Sequence, residues 1–152
     1  MPFNTRNATD ADFDFLFELK KASHYEQVEA VFGWDDAVQY EIHQSEWQEV
    51  RPQIIEMDNT AIGSYLVEQR EDHLYFGRFH LMPEYQGKGL GSRLLTSVLE
   101  MADDAQLPVK LVHLQLNRAG GLYQRFGFTV ESEDEHFVYM VRQPMPASQK
   151  VA

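Results

Sequence analysis

Residues 81–92 read LMPEYQGKGLGS and lie between two regular elements. An apolar run over Leu74–Leu81 predicts a buried strand before them, and the helical spacing of apolar residues over Leu90–Ala105 predicts a helix after them. The glycines between these elements let the backbone approach a ligand closely, and the first amides of the helix offer hydrogen-bond donors and partial positive charge to an anion. The stretch therefore predicts a phosphate-binding turn, around which the rest of the chain is built.

The length and composition favour one folded domain. The chain has 152 residues, of which 43% are apolar, and this is enough for one hydrophobic core. We expect residues 1–144 to form a single domain and residues 145–152 to form a flexible tail. With 13 Lys plus Arg against 24 Asp plus Glu, the formal charge is -11. This charge repels nucleic acid and attracts a cationic amine, although an acidic surface also serves solubility alone.

The chain contains no cysteine. This excludes disulfides, thiolate metal ligands and a cysteinyl intermediate in acyl transfer. The first ten residues lack a basic segment followed by an apolar run, and no apolar run is long enough to cross a membrane. We therefore expect a cytoplasmic protein without a membrane partner.

Apolar periodicity and turn residues predict an alternation of strands and helices. The first part of the chain should form a short strand over 3–7, a helix from Asp10 to about His24 that continues over 26–32 until Gly33, and a further helix that is capped by Asp35 or Asp36 and reaches about Trp47. Three strands should follow over 50–57, 60–70 and 73–82. The last part should form a helix over 90–105, a strand over 109–116, a short helix over 120–126, and a hairpin of 128–133 and 137–142.

The links between these elements predict the topology. The pairs Asp58-Asn59 and Glu71-Asp72 are tight turns, so the three middle strands form an antiparallel meander. The strand over 109–116 follows a helical crossover and should lie parallel to the strand before that crossover. The expected α/β (α+β) fold is a single mixed, mostly antiparallel sheet of about seven strands, with helices on both faces.

Two blocks of the sequence, taken together, resemble the GNAT superfamily of acyl-CoA-dependent N-acyltransferases. Residues 86–91, QGKGLG, match the superfamily's pyrophosphate loop Q/R-x-x-G-x-G/A, after a lead-in of Leu81-x-Pro83-x-Tyr85. Residues 117–128, NRAGGLYQRFGF, are similar to its N-x-x-A-x-x-L-Y-x-x-x-G-F block, with one residue fewer before the tyrosine. A P-loop and a dinucleotide-binding fingerprint both fail on glycine spacing, and the six scattered histidines predict no metal site.

The resemblance implies a site for acetyl-CoA as co-substrate. Two central strands should splay apart, one ending at Leu81 and the other near Asn117, and the splay exposes the Leu81 backbone to the pantetheine arm. The backbone amides from Gly87 onward should hold the pyrophosphate, while the Gln86 side chain fixes the turn. The implied cofactor-binding residues are Leu81, Met82, Gln86, Gly87, Lys88, Gly89, Leu90, Gly91, Ser92 and Asn117, although Asn117 could instead be a turn or helix-cap residue.

The resemblance also implies that Tyr123 is the general acid for the leaving thiolate, and the amide of Leu81 or Met82 is our candidate for polarising the thioester carbonyl. The base is open, because Tyr75 and Gly77 occupy the positions where related proteins often carry Glu or His. A period of two places His80 on the opposite strand face from Tyr75. Further candidates, which depend on the shape of the pocket, are Glu68, His113 and His24. Deprotonation through water, or an amine of low pKa that needs no dedicated base, is also open.

The acceptor is the least defined part of the site. The aromatic residues around Trp34 and Trp47 are either a packed helix pair or a pocket wall, and we take Trp34 and Tyr75 as candidate substrate-binding residues. The leading expectation is acetyl transfer to a primary amine, small and cationic or aromatic. The alternatives are an acyl-CoA-binding module without activity and an acetyltransferase of protein N-termini or lysines. By family habit a homodimer is possible.

Overall fold

The computed structural model describes residues 2–117 and 119–146. Its regular elements, with the strands and α-helices each numbered in chain order, are β1 (Asn4–Asn7), a 3₁₀ turn (Asp10–Asp12), α1 (Phe13–Phe32), α2 (Asp36–Glu49), β2 (Gln53–Met57), β3 (Thr60–Gln69), β4 (Leu74–Leu81), a 3₁₀ turn (Pro83–Tyr85), α3 (Leu90–Ala105), β5 (Val109–Leu114), α4 (Gly120–Arg125), β6 (Thr129–Glu133) and β7 (Phe137–Arg142).

The strands form a seven-stranded, mostly antiparallel sheet in the order β1-β2-β3-β4-β5-β7-β6. This confirms the predicted fold class and the predicted order of elements. The chain divides into two compact units, unit 1 being Met1–Leu66 with Arg78–Gln86, and unit 2 being Val67–Gly77 with Gly87–Ala152. The single domain expected over 1–144 stays a prediction.

In unit 1, β1, β2 and the first half of β3 are antiparallel neighbours. Thr5 lies opposite Ile55, and Ile54 lies opposite Ser64. The β2 strand holds two adjacent buried isoleucines, Ile54 and Ile55, and Ile54 packs with Leu16 and Leu19 of α1 in a buried cluster. The core of this unit therefore lies between the α1 helix and one face of its strands.

The two helices of unit 1 are separated at Gly33, where the sequence predicts a stop. The α1 helix starts at Phe13, later than predicted because Asp10–Asp12 form a 3₁₀ turn. It runs unbroken to Gly33, which stops it with a φ of 79°. Asp35 then caps α2, because its side chain accepts a bond of 3.0 Å from the amide of Val38.

In unit 2, β5 is parallel to β4 and antiparallel to β7, as the crossover predicts. The register of β4 with β5 pairs Leu74 with Val109 and Tyr75 with Lys110, and it stops there although β4 continues. A register this short is what the predicted splay of the two strands requires. At the end of the chain, residues 147–152 of the expected tail lie outside the described residues. The amide of Met145 donates a 2.9 Å bond to the Asp103 carboxylate.

A β-bulge interrupts β4 at Arg78. At the turn between β3 and β4, the Arg70 amide bonds to the His73 carbonyl at 2.8 Å, and at the far end the Met82 amide bonds to the Ile62 carbonyl at 2.9 Å. From the first pair to the second, the β3 side of the hairpin runs from residue 70 back to 62 while the β4 side runs from residue 73 to 82. The β4 side therefore holds one residue more than the β3 side over the same stretch. Arg78, with a φ of 49° in the middle of the strand, marks its position.

The bulge changes which way the side chains after it point. An extra residue in a strand reverses the alternation of faces beyond it, and His80 faces α1, where the Ser23 hydroxyl lies 3.0 Å from its Nδ1 atom. The expectation that His80 and Tyr75 point to opposite faces rests on an uninterrupted period of two, which β4 does not have. Across the hairpin, Gly63 lies against the far end of β4, where a β-carbon would come 2.5 Å from the carbonyl oxygen of His80.

Candidate functional site

The glycine turn of unit 2 has the backbone shape of an anion site. Gly87 and Gly89 have φ angles of 73° and 80°, and Gly89 is the N-cap of the α3 helix. The first helical bond runs from the Arg93 amide to the Gly89 carbonyl at 3.1 Å, so the amides of Leu90 to Ser92 precede the intrahelical ladder. A β-carbon at Gly87 or Gly89 would meet none of the described residues within 4 Å, which leaves the turn open to a ligand.

At the end of β4, in unit 1, the Met82 amide and the Leu81 carbonyl both make hydrogen bonds within the protein. The Met82 amide bonds to Ile62 of β3, so this amide is already used within the sheet. The Leu81 carbonyl accepts a 2.9 Å bond from the Gln86 side chain, which gives Gln86 the turn-fixing contact expected of it. Since neighbouring amides of a strand point to opposite sides, the Leu81 amide points away from β3. Of the two amides considered for the thioester carbonyl, that of Leu81 is the better placed.

Tyr123 lies on α4 and is 5% exposed. Its ring contacts Phe76 and Phe128 edge to face and stacks on His113, with centroids 6.5, 5.8 and 6.0 Å away. Burial, and to a smaller extent the phenol of Tyr75, raises the pKa of Tyr123 above its usual range. A tyrosine is protonated at neutral pH at its usual pKa, and this shift keeps Tyr123 in that state, which a general acid needs.

Tyr75 belongs to the same neighbourhood of unit 2. Its ring covers Gly77, where a β-carbon would come 2.6 Å from the ring, so this glycine makes room for the tyrosine. The guanidinium of Arg70, which follows β3, lies over the Tyr75 ring, 4.3 Å from its centroid. His113 directs its Nδ1 at the Leu114 carbonyl, 2.8 Å away, so Nδ1 carries the proton and Nε2 is the basic nitrogen.

Asn117 has the structural role that was weighed against pantetheine binding. Its side-chain oxygen accepts a 2.8 Å bond from the amide of Ala119, immediately before α4. Its own amide donates to the Leu114 carbonyl at 3.0 Å, closing the turn after β5. The residue thus holds the start of the helix that carries Tyr123, and a contact with pantetheine stays a prediction.

Trp34 lies in unit 1, at the junction of α1 and α2. Its indole nitrogen bonds to the Asp36 carboxylate, and its ring centroid lies 5.3 Å from that of Tyr25 and 6.4 Å from that of Phe17. Farther along the two helices, His43 stacks on Phe13 at 4.4 Å. These contacts are those of a packed helix pair. The role of Trp34 in substrate binding stays a prediction.

Unit 1 also contains a cluster that the sequence did not reveal. Ser23 and His24 of α1 meet His80 of β4, with the Nδ1 atoms of the two histidines 2.8 Å apart. The sequence offers His24 and His80 only as separate residues. Their pairing depends on the bulge at Arg78, which turns His80 toward α1. A non-glycine residue with a positive φ inside a strand could not be read from the sequence.

The sequence model of the acetyltransferase (GNAT) family matches residues 13–128. The chain belongs to this family. The match includes both the glycine turn and the segment with Tyr123. The protein is accordingly an acetyltransferase by family, as the resemblance of its two blocks indicated. No curated protein matches the sequence at a significant level.

Solved structures of GNAT proteins share this fold over nearly the whole chain. The PaiA N-acetyltransferase of Thermoplasma acidophilum, solved in complex with coenzyme A, matches with a TM-score of 0.71 at 18% identity and covers 94% of this chain and 99% of its own. The ribosomal-protein-S18-alanine N-acetyltransferase of Escherichia coli matches at 0.69 and 14%, covering 99% and 100%. An acetyltransferase of Thermus thermophilus matches at 0.75 and 16%, covering 94% and 97%. At these identities the matches show the fold.

In the described part of the chain, no helix is both long and apolar enough to cross a membrane. Within residues 2–117 and 119–146, no three His, Asp or Glu side chains come together in a way that could hold a metal ion.

Proposed function

We propose that this GNAT protein is an N-acetyltransferase that moves the acetyl group of acetyl-CoA directly to a primary amine. The observation that carries the proposal is the open turn from Gly87 to Ser92. It combines two glycines of positive φ with the first amides of a 16-residue helix, and this arrangement suits the pyrophosphate of coenzyme A. The coenzyme A in the PaiA crystal structure supports this choice of donor.

The other expected residues take roles along the coenzyme. Gln86 fixes the turn through the Leu81 carbonyl. Lys88 and Ser92 belong to the same turn, whose amides bind phosphate. Asn117 positions α4 and thereby Tyr123. The Leu81 amide donates to the thioester carbonyl, whose oxygen gains negative charge as the amine attacks.

The chemistry needs one proton donor and one proton acceptor. The amine nitrogen forms a bond to the acetyl carbon, and the carbonyl electron pair moves onto oxygen. When the carbonyl reforms, the carbon–sulfur bond breaks and the thiolate of coenzyme A takes a proton from Tyr123. The Tyr123 phenol carries its proton at neutral pH, as a tyrosine with an ordinary or raised pKa does, so the donor is in the correct state.

The direct test measures free thiol release from acetyl-CoA across a panel of amines. The panel holds polyamines, aromatic amines, amino acids and peptides with free N-termini, because neither the acidic balance nor the aromatic helices distinguish among these. Peptides belong in it because the Escherichia coli neighbour is named for a protein alanine acceptor. Amine-dependent thiol release with an acetylated product is the expected result. Binding of acetyl-CoA without release across the whole panel would instead indicate an acyl-CoA-binding module.

We place the reaction in the cytoplasm, the location expected from the sequence. The small amine acceptor and a homodimer remain parts of the same proposal. Product analysis by mass spectrometry and sedimentation analysis test them separately.

A further inference from the structure

The α1 helix and the β4 strand bring three polar side chains into one cluster within unit 1. The hydroxyl of Ser23 lies 2.7 Å from the Nδ1 atom of His24 and 3.0 Å from the Nδ1 atom of His80. The two Nδ1 atoms are 2.8 Å apart, and the rings meet edge to face with centroids 4.3 Å apart. We name this group the Ser23–His24–His80 cluster.

The short contact between the two Nδ1 atoms fixes how the protons are distributed. Two nitrogens at this distance need one proton between them, so one Nδ1 donates and the other accepts. The ring whose Nδ1 is the donor then has its lone pair on Nε2. In its neutral state the cluster therefore holds one basic Nε2 nitrogen that is oriented by the hydrogen bonds at the opposite side of its ring.

The surroundings keep the cluster neutral. Burial, followed by the positive charge of Lys20, lowers the pKa of His24 to about 4. Burial lowers the pKa of His80 well below its usual value, with smaller effects from His24, Lys20 and Arg78. Both cations also face Glu46 of α2, at 3.9 Å from Lys20 and 2.9 Å from Arg78. At neutral pH both imidazoles are therefore unprotonated, as a proton acceptor must be.

The bulge gives the cluster its position on β4. His80 directly precedes Leu81, whose amide is the proposed donor to the thioester carbonyl. The bulge turns His80 toward α1, where it meets Ser23 and His24. The guanidinium of Arg78 bonds to the Val50 carbonyl at 2.8 Å, which ties the bulge to the end of α2. The bulge is therefore held by side-chain contacts that are independent of any ligand.

We propose that the Ser23–His24–His80 cluster accepts the proton that the acceptor amine loses during acetyl transfer. The inference rests on the proposed function and supplies the base that it lacks. As the nitrogen–carbon bond forms, the nitrogen becomes positively charged and strongly acidic, and an imidazole lone pair takes its proton. The thiolate of coenzyme A leaves with the proton of Tyr123, and the tyrosinate regains a proton from solvent. The imidazolium returns its proton to solvent. A weakly basic imidazole is sufficient because the nitrogen is acidic once it bears the acyl carbon.

The test uses His24→Asn and His80→Asn in the full chain. The Asn amide occupies roughly the place of Nδ1, so hydrogen bonds within the cluster can persist while the basic nitrogen is lost. The matched control is His43→Gln, since the Nε2 atom of His43 bonds to the Phe13 carbonyl at 2.8 Å in the same unit and the Gln amide can keep that bond. His113→Asn removes the competing basic nitrogen of unit 2.

For each variant, kcat is measured from pH 5 to 10 with acetyl-CoA and the panel amine that the wild-type protein acetylates fastest. Acetyl-CoA affinity is measured by calorimetry. We expect at least one cluster variant to lose about 100-fold in kcat, the lower end of what a general base contributes, with a changed pH profile and acetyl-CoA affinity within about twofold of wild type. Added imidazole should restore part of the rate to His80→Ala, which a purely structural role would not allow.

Other outcomes overturn the inference. If both cluster variants keep the wild-type rate and pH profile, the cluster is not the proton acceptor, while the proposed function stands. The same holds if His113→Asn alone changes the profile. If the wild-type protein acetylates no amine of the panel, the proposed function fails and the inference fails with it.

Discussion

Gly89→Ala separates the backbone requirement of the glycine turn from the stability of the fold. Gly89 has a φ of 80° and a ψ of 5°, a left-handed conformation that costs a residue with a β-carbon about 1–2 kcal/mol. The new methyl group meets no described residue within 4 Å, so it adds no clash inside the protein. The melting temperature should fall by about 2–8 °C.

The effect on coenzyme binding should exceed the effect on stability. The methyl group projects into the open face of the turn, where the phosphates would approach the helix amides. Losing one hydrogen bond to a charged group costs about 1.5–3 kcal/mol, which corresponds to a roughly 10- to 100-fold higher Kd for acetyl-CoA. Calorimetric titration with acetyl-CoA measures this change directly.

The control for this prediction is Gly33→Ala. Gly33 has a φ of 79° and also has open space around it, but it lies between α1 and α2. The control should lose at least as much stability, because the ψ of 132° at Gly33 lies outside the left-handed helical region, and it should keep its affinity for acetyl-CoA. If Gly89→Ala binds acetyl-CoA as tightly as Gly33→Ala does, the turn is not the phosphate site and the reasoning is refuted.

Three further predictions concern the rest of the protein. Tyr123→Phe should lower kcat at least about tenfold with little change in acetyl-CoA affinity, because it removes only the proton donor; an unchanged kcat would remove Tyr123 from the chemistry. Gly63→Ala should lower the free energy of unfolding by about 1–3 kcal/mol in urea titrations, since its β-carbon would lie 2.5 Å from the His80 carbonyl oxygen; unchanged stability would contradict this close approach. Between pH 6.5 and about 4, His24 takes up a proton in the unfolded chain and stays neutral in the folded chain, whose His24 pKa is about 4. The free energy of unfolding should therefore decrease by up to about 3 kcal/mol as the pH is lowered through this range, and His24→Asn should reduce that decrease. A variant with the wild-type pH dependence would show that His24 is not buried in the neutral form.

Local patterns were sufficient to predict most elements of the fold. The α3 helix and β7 have the predicted bounds, because a strong apolar periodicity and clear stop signals define them. The β5 strand ends two residues early at Leu114, where the Asn117 amide closes a turn onto it. Such differences are confined to the ends of elements, where turn bonds compete with strand pairing.

The candidate site was predicted only where its geometry is local. The turn at Gly89 depends on neighbouring residues, and its shape follows from glycine spacing at the start of a helix. The His24–His80 pair depends on residues far apart in the chain and on a single inserted residue at Arg78, which changes the face of every later side chain. Periodicity cannot locate such an insertion, since the arginine at this position gives no signal of a positive φ.

The measurement closest to the central claim is a calorimetric titration of the wild-type protein with acetyl-CoA. The account predicts saturable binding at one site per chain, with a Kd below about 1 mM, the upper end of usual enzyme–substrate affinities. It also predicts that Gly89→Ala weakens this binding. No heat of binding with millimolar acetyl-CoA would contradict the proposal that the turn from Gly87 to Ser92 holds the acetyl donor.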